Sequence, residues 1–237
     1  MIPASFEYLR PTTVQEAIGL LRQHGDDAKV LAGGHSLLPM MKLRLAQPKY
    51  LVDIGRVPGL AYIRESGGNI AIGAMTTHTA LEQSDLLRAK APLVADVAAE
   101  IADVQVRNLG TIGGSLAHAD PAADLPAACL ALDAEMVASG PNGERTIKAE
   151  NFFTGLFSSA LHPGELLTEI RFPAPPAHSG GAYSNMPNPA SHFAVVGVAA
   201  QLTLDGGGRC QAARIGVTGV SGTPFRAKGA EIGRAHV

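Results

Sequence analysis

Two adjacent glycine pairs interrupt the chain, within Ala32-Gly33-Gly34-His35-Ser36 and within Thr111-Ile112-Gly113-Gly114-Ser115. A glycine pair admits positive φ and lets another backbone or a ligand approach where a Cβ would stand. Each pair follows a stretch able to lead the backbone into a tight turn. Successive N–H groups in such a turn form a concave anion site, and a helix start behind it, as at Ser36, adds partial positive charge. Taken singly, each is also an ordinary tight turn. Taken together, with hydroxyls in both and acids downstream of the second, they point to one bipartite cradle for a diphosphate. Neither is a Walker loop or a Rossmann fingerprint, because Gly-Lys-Ser/Thr and Gly-x-Gly-x-x-Gly are absent.

The segments between the breaks alternate helix and strand. Thr13-x-x-Glu16 reads as a capping box with Val14, Ala17, Ile18 and Leu21 on one helical face and Gly25 as the closing cap. Residues 28–32 read as a buried strand, Ser36 as the cap of a helix carrying Leu37, Leu38, Met41 and Leu45, and 50–54 as a strand completing a small β-α-β-α-β unit. Residues 61–64 and 69–72 predict a hairpin turning at Ser66-Gly67-Gly68. Helices are expected from Thr76-Thr77 through Leu81 and over 92–101, with a short one starting at Asp124 or Pro126. Strands are expected at 134–138 and 145–148 around Pro141-Asn142-Gly143, and over 165–172. Phe172-Pro173-Ala174-Pro175-Pro176 marks a boundary. Beyond it, two strand runs, 193–204 and 210–220, flank Asp205-Gly206-Gly207-Gly208, and two strands alone cannot bury both faces.

Composition narrows the function classes. The formal charge of −2 provides no field for nucleic acid, and no apolar run approaches the ~20 residues of a membrane span. The reading is a cytoplasmic protein. Only Cys129 and Cys210 are present, short of the about four thiolates an iron–sulfur cluster takes. Asp120 and Asp124 follow the second glycine pair; an acid so placed suits ribose hydroxyls, with helix capping expected for at least one of the two. His118 with these acids makes a poor metal set. His35 is placed to donate to a phosphate or a ring edge, while His78 and Thr77 sit at a helix start, where capping is the expected job. Lys42 and Arg44 read as a solvated or partner-facing edge. No Gly-x-Ser-x-Gly elbow or Ser-His-Asp order marks a hydrolase, and no catalytic side chain is evident. A self-contained flavin oxidase or reductase and a non-enzymatic interaction module are the competing readings.

Ala32-Gly33-Gly34-His35-Ser36-Leu37-Leu38-Pro39 with Lys42-Leu43-Arg44-Leu45, followed by Thr111-Ile112-Gly113-Gly114-Ser115 and His118-Ala119-Asp120-Pro121-Ala122-Ala123-Asp124-Leu125-Pro126, resembles the flavin subunits of molybdenum hydroxylases, those of carbon monoxide dehydrogenase type in particular. The resemblance implies an α+β, vanillyl-alcohol-oxidase/PCMH-type FAD-binding fold. Two subdomains, 1–54 and 55–176, would bind FAD between them, and a shortened C-terminal domain, 177–230, would help cover the ring. Residues 231–237 resemble the translation of a sequencing adapter and are expected to be a non-native tail. Carried over by position, Ala32, Gly33, Gly34, His35 and Ser36 with Thr111, Ile112, Gly113, Gly114 and Ser115 would wrap the diphosphate. Asp124 would meet the ribose, and Leu167 and Phe193 the isoalloxazine. Asn185, in Tyr183-Ser184-Asn185, stands where the family often has a basic residue and implies a weaker flavin contact. The implied role is electron relay beside a large molybdopterin-binding subunit and a small [2Fe–2S] subunit, in a dimer of heterotrimers, with no metal held by this chain.

Overall fold

Three successive sheets carry the chain in the computed structural model, which describes residues 2–232. The first is built from β1 (Glu7–Leu9), α1 (Val14–His24), β2 (Ala28–Leu31), α2 (Leu37–Lys42) and β3 (Tyr50–Asp53), with parallel strands in the order β1-β3-β2. The capping box forms: Thr13 Oγ1 accepts from Glu16 N–H, and the Glu16 carboxylate accepts from Thr12 N–H at 2.7 Å. Ala17, Ile18 and Leu21 face inward onto Ala28, Val52 and Ile54, as their spacing predicts. α2 departs from expectation. Ser36 is itself in the αR region and its side chain caps nothing; the helix lasts six residues and buries only Met41. Leu45 lies beyond it and is exposed.

The second sheet is antiparallel, in the order β4-β5-β10-β6-β7. Its hairpin of β4 (Ile63–Ser66) and β5 (Asn69–Gly73) turns through Gly67 and Gly68, both at positive φ, as a two-residue hairpin turn requires. Six helices follow before the chain returns to the sheet, the first five being α3 (His78–Glu82), α4 (Asp85–Lys90), α5 (Pro92–Glu100), α6 (Val104–Leu109) and α7 (Ile112–His118). α4 is not among the helices expected from the sequence; Ser84 caps it, and Pro92 opens α5 two residues after its end. Then come α8 (Leu125–Ala131), β6 (Glu135–Gly140), β7 (Gly143–Lys148), the small hairpin β8 (Phe153–Gly155) and β9 (Ser158–Ser159), and the central β10 (Leu166–Pro173). The main core lies between this sheet and the helices, with Phe152, Phe172, Ile70, Ile72, Leu81, Leu116 and the thiol of Cys129 all fully buried.

The third sheet corrects the expected two strands to four. β11 (Ser179–Pro187), β12 (Ala194–Leu204), β13 (Cys210–Thr218) and β14 (Phe225–Arg226) are antiparallel in sequence order, followed by α9 (Lys228–Ile232). One face is covered because β12 and β13 pack on α8, and β11 on α5. Arg226 and Glu231 form a two-pronged pair at 2.8 and 2.9 Å, and Glu231 also accepts from Ile215 N–H. The remainder of the expected tail, from residue 233 on, lies outside the described residues.

Candidate functional site

The two glycine pairs meet, but they are different structures. Gly34 has φ +78, in the left-handed region that favours glycine, and the loop from Ala32 to Ser36 turns there between β2 and α2. Among the described residues, no acceptor takes the N–H groups of Gly33, Gly34, His35 or Ser36. Four consecutive donors are thus left without a protein acceptor, as an anion-binding turn would need. The second pair is no turn. Gly113 and Gly114 lie in the first turn of α7, capped by Thr111, whose Oγ1 accepts from Gly114 N–H at 3.1 Å. The N–H groups of Ile112, Gly113 and Ser115 donate to Thr76, Ala74 and Thr111 carbonyls at 2.9–3.0 Å. The backbone of 112–115 therefore has no free donor for a ligand.

Glycine serves packing at this second pair. A Cβ on Gly113 would stand 2.4 Å from that of Ala74, and one on Gly33 would stand 2.1 Å from the Leu109 carbonyl oxygen. The absent side chains let the first loop, the end of α6 and the start of α7 close on one another, with Gly114 beside Ala32.

A cavity of about 600 Å³ opens at this junction, within the range of small-molecule and cofactor sites. Ala32, Gly33, Gly34, His35 and Ser36 line it, as do Thr111, Gly113, Gly114 and Ser115 from the other side. Asp124, Leu167 and Phe193 complete the set of expected residues brought to its wall. Ile112 is instead fully buried in the core. The cavity is thus walled by the first layer, by α7 and β10 of the second, and by the loop before β12.

Asp124 precedes α8 without capping it by its side chain, and Asp120 caps no helix either; its Oδ1 accepts from Ala122 N–H within a turn. Asp124 is buried, and its Oδ1 accepts from Tyr183 OH at 2.5 Å and from Asn185 Nδ2 at 3.1 Å. Burial pushes its carboxyl above the usual range, while those two donors pull against the shift. No donor among the described residues reaches Oδ2. Asn185 thus meets Asp124, a contact its place in the sequence did not reveal.

His118, Phe157 and His78 also line the cavity, a place the sequence did not assign to them. His118 is packed at 5.1 Å against Phe157, which reaches the cavity from the β8–β9 hairpin. His78, expected only to cap, is buried against the cavity, with Thr77 providing the cap of α3. Tyr62 and Glu169 hydrogen-bond at the other side of β10 and take no part in the cavity wall.

The comparisons with known proteins identify the family of the chain. A family described as "FAD binding domain in molybdopterin dehydrogenase" matches residues 4–175, and one described as "CO dehydrogenase flavoprotein C-terminal domain" matches residues 181–232. The chain is 46% identical to the carbon monoxide dehydrogenase medium chain of Afipia carboxidovorans, covering 96% of this chain and 79% of that one. It is 46% identical to the 6-hydroxypseudooxynicotine dehydrogenase complex subunit alpha of Paenarthrobacter nicotinovorans, covering 98% and 78%. Among solved structures, reconstituted CO dehydrogenase from Oligotropha carboxidovorans superposes with a TM-score of 0.96 at 45% identity, covering 99% of this chain and 82% of that one. Quinoline 2-oxidoreductase from Pseudomonas putida 86 superposes with a TM-score of 0.91 at 36% identity, covering 98% and 80%.

Proposed function

The chain belongs to the FAD-binding medium subunits of the molybdenum hydroxylases, an oxidoreductase family with a PCMH-type fold, and from that premise we propose that its cavity seats FAD as an electron relay. The row of N–H groups without a protein acceptor at Gly33–Ser36 on the cavity wall carries this reading, because a diphosphate presents several oxygen acceptors to such a row of donors. In it, the first loop binds the diphosphate through its backbone. Thr111 and Ser115 face it with hydroxyls rather than with N–H groups. Asp124 offers Oδ2 to a ribose hydroxyl, Leu167 gives an apolar wall, and Phe193 stands beside the isoalloxazine.

Bound FAD would supply the redox chemistry, taking electrons from a partner's [2Fe–2S] clusters and passing them to an external acceptor. The chain's own residues bind and orient it, and none is assigned a catalytic proton. The partners proposed are a large molybdopterin-binding subunit and a small [2Fe–2S] subunit, in a dimer of heterotrimers; relatives named as medium chains and complex subunits support a place within a multi-subunit enzyme. The division at 54 and 176 is supported by the sequence of three sheets, whereas α9 runs through the bound at 230 and Glu231 bonds back to Ile215 and Arg226. A cytoplasmic location is supported by the two free cysteines. Among the described residues, no helix is long and apolar enough to cross a membrane.

The purified chain, mixed with FAD and desalted, is expected to retain about one flavin per chain. Co-expression with the large and small subunits is expected to recover all three together. A chain that retains no flavin in either setting refutes the proposal.

A further inference from the structure

The only buried side-chain polar atom without a partner among the described residues is Nδ1 of His78. The residue is 4% exposed and lines the cavity. Its backbone N–H donates to the Gly110 carbonyl at 3.0 Å, and its ring lies close to that glycine. A Cβ on Gly110 would stand 2.8 Å from Cδ2 of the imidazole and 2.9 Å from Nε2. Gly110 has φ −58, which any residue adopts, so glycine there makes room for the ring. Gly110 in turn touches the first loop, since a Cβ on Gly33 would stand 2.8 Å from its Cα. Imidazole, Gly110 and the N–H row at Gly33–Ser36 are therefore contiguous on one wall.

The buried nitrogen fixes the tautomer. An N–H at Nδ1 would be an orphaned donor, the rarer and costlier defect, so Nδ1 carries the lone pair and Nε2 the proton. Burial first, and then His35 and Arg107, hold the ring neutral by lowering its pKa to about 4. This leaves one uncharged donor, Nε2–H, beside four backbone donors that also lack partners. An aliphatic side chain would fill the same space without stranding a nitrogen.

We propose that His78 is a binding residue of this cleft, its Nε2–H donating to the diphosphate held by the Gly33–Ser36 loop. The inference rests on the FAD reading. The test titrates the flavin-free 237-residue chain with FAD, following flavin fluorescence, for the wild type and for His78→Gln, His78→Asn and His78→Leu. The glutamine amide nitrogen reaches the place of Nε2, whereas that of asparagine reaches only the place of Nδ1. Glutamine is expected to bind within about threefold of wild type, and asparagine and leucine about tenfold or more weakly. The flavin-free leucine variant is expected to melt no lower than wild type, because it removes a stranded atom. Equal affinity of glutamine and asparagine, or wild-type affinity in the leucine variant, overturns the role of His78 alone. Failure of the wild type to bind FAD overturns the FAD reading and this assignment with it.

Discussion

Tyr183→Phe deletes one hydroxyl from β11 and tests whether Asp124 is set by the third sheet. The hydroxyl donates to Oδ1 of a buried carboxylate at 2.5 Å, with Asn185 as the second donor. A hydrogen bond to a charged group contributes about 1.5–3 kcal/mol, so the variant is expected to lose about 2 kcal/mol of stability at pH 7.5. The sign with pH follows from the carboxyl. Burial raises its folded-state pKa, and the bonds from Tyr183 and Asn185 lower it again. Removing the hydroxyl lets the pKa rise further. The difference between wild type and variant is therefore full above both folded-state values and shrinks as pH falls through them. Urea denaturation of the flavin-free chain at several pH values reads it. In an Asp124→Asn background the same deletion meets a neutral amide and is expected to cost about 1 kcal/mol or less. Equal costs at all pH values and in both backgrounds would show that the hydroxyl does not act through the carboxylate.

Gly113→Ala places a Cβ 2.4 Å from that of Ala74 and is expected to cost about 1–3 kcal/mol as overpacking. Gly114→Ala meets chiefly the Thr111 hydroxyl at 2.8 Å and is expected to cost about 1 kcal/mol, the worth of a cap; melting curves of the flavin-free chains give the order, and a reversed order contradicts the packing described for α7. Cys129 is fully buried with its thiol pushed up by burial, whereas Cys210 is half-buried. A thiol reagent at neutral pH is therefore expected to find Cys210 first and Cys129 only after denaturant is added. Arg226→Met strands the Glu231 carboxylate, which burial alone would raise but which Arg226 and Ile215 N–H hold below its ordinary range. The expected loss is about 1–3 kcal/mol at pH 7, fading as pH falls through the depressed pKa because that stabilisation exists only while the carboxylate is charged. Urea midpoints at pH 7 and pH 4 check it.

Much of the fold was legible because its signals are local. Thr13 and Glu16 announce α1, Gly67-Gly68 announces the β4–β5 hairpin, and the alternation in 165–172 announces the strand that proves central. What failed depended on distant partners. β11, with glycines, serines and an asparagine, has weak strand propensity and forms because β12 pairs with it along nine residues. The face of the third sheet is covered by α8, whose composition of alanine, leucine and cysteine says only that it is buried. Leu45 fits the helical period of α2, yet the helix has already ended, since Arg44 takes positive φ.

The site was legible in its letters more than in its roles. Gly33-Gly34 and Gly113-Gly114 look alike in sequence, and both reach the cavity. The first pair leaves its N–H groups free because the chain turns away from β2 before a helix can claim them. The second begins a helix, and the Thr76 and Ala74 carbonyls, with the capping Thr111, consume every donor in its first turn. Whether a glycine pair binds or packs is thus decided by which acceptors lie nearby, and those come from residues 74–76, remote in sequence. The same holds for histidine. Position alone gives His78 a helix start, where its side chain was expected to cap. Only the fold shows that Thr77 holds that post and that the imidazole, pressed on Gly110, is left with one nitrogen stranded and the other beside the cradle.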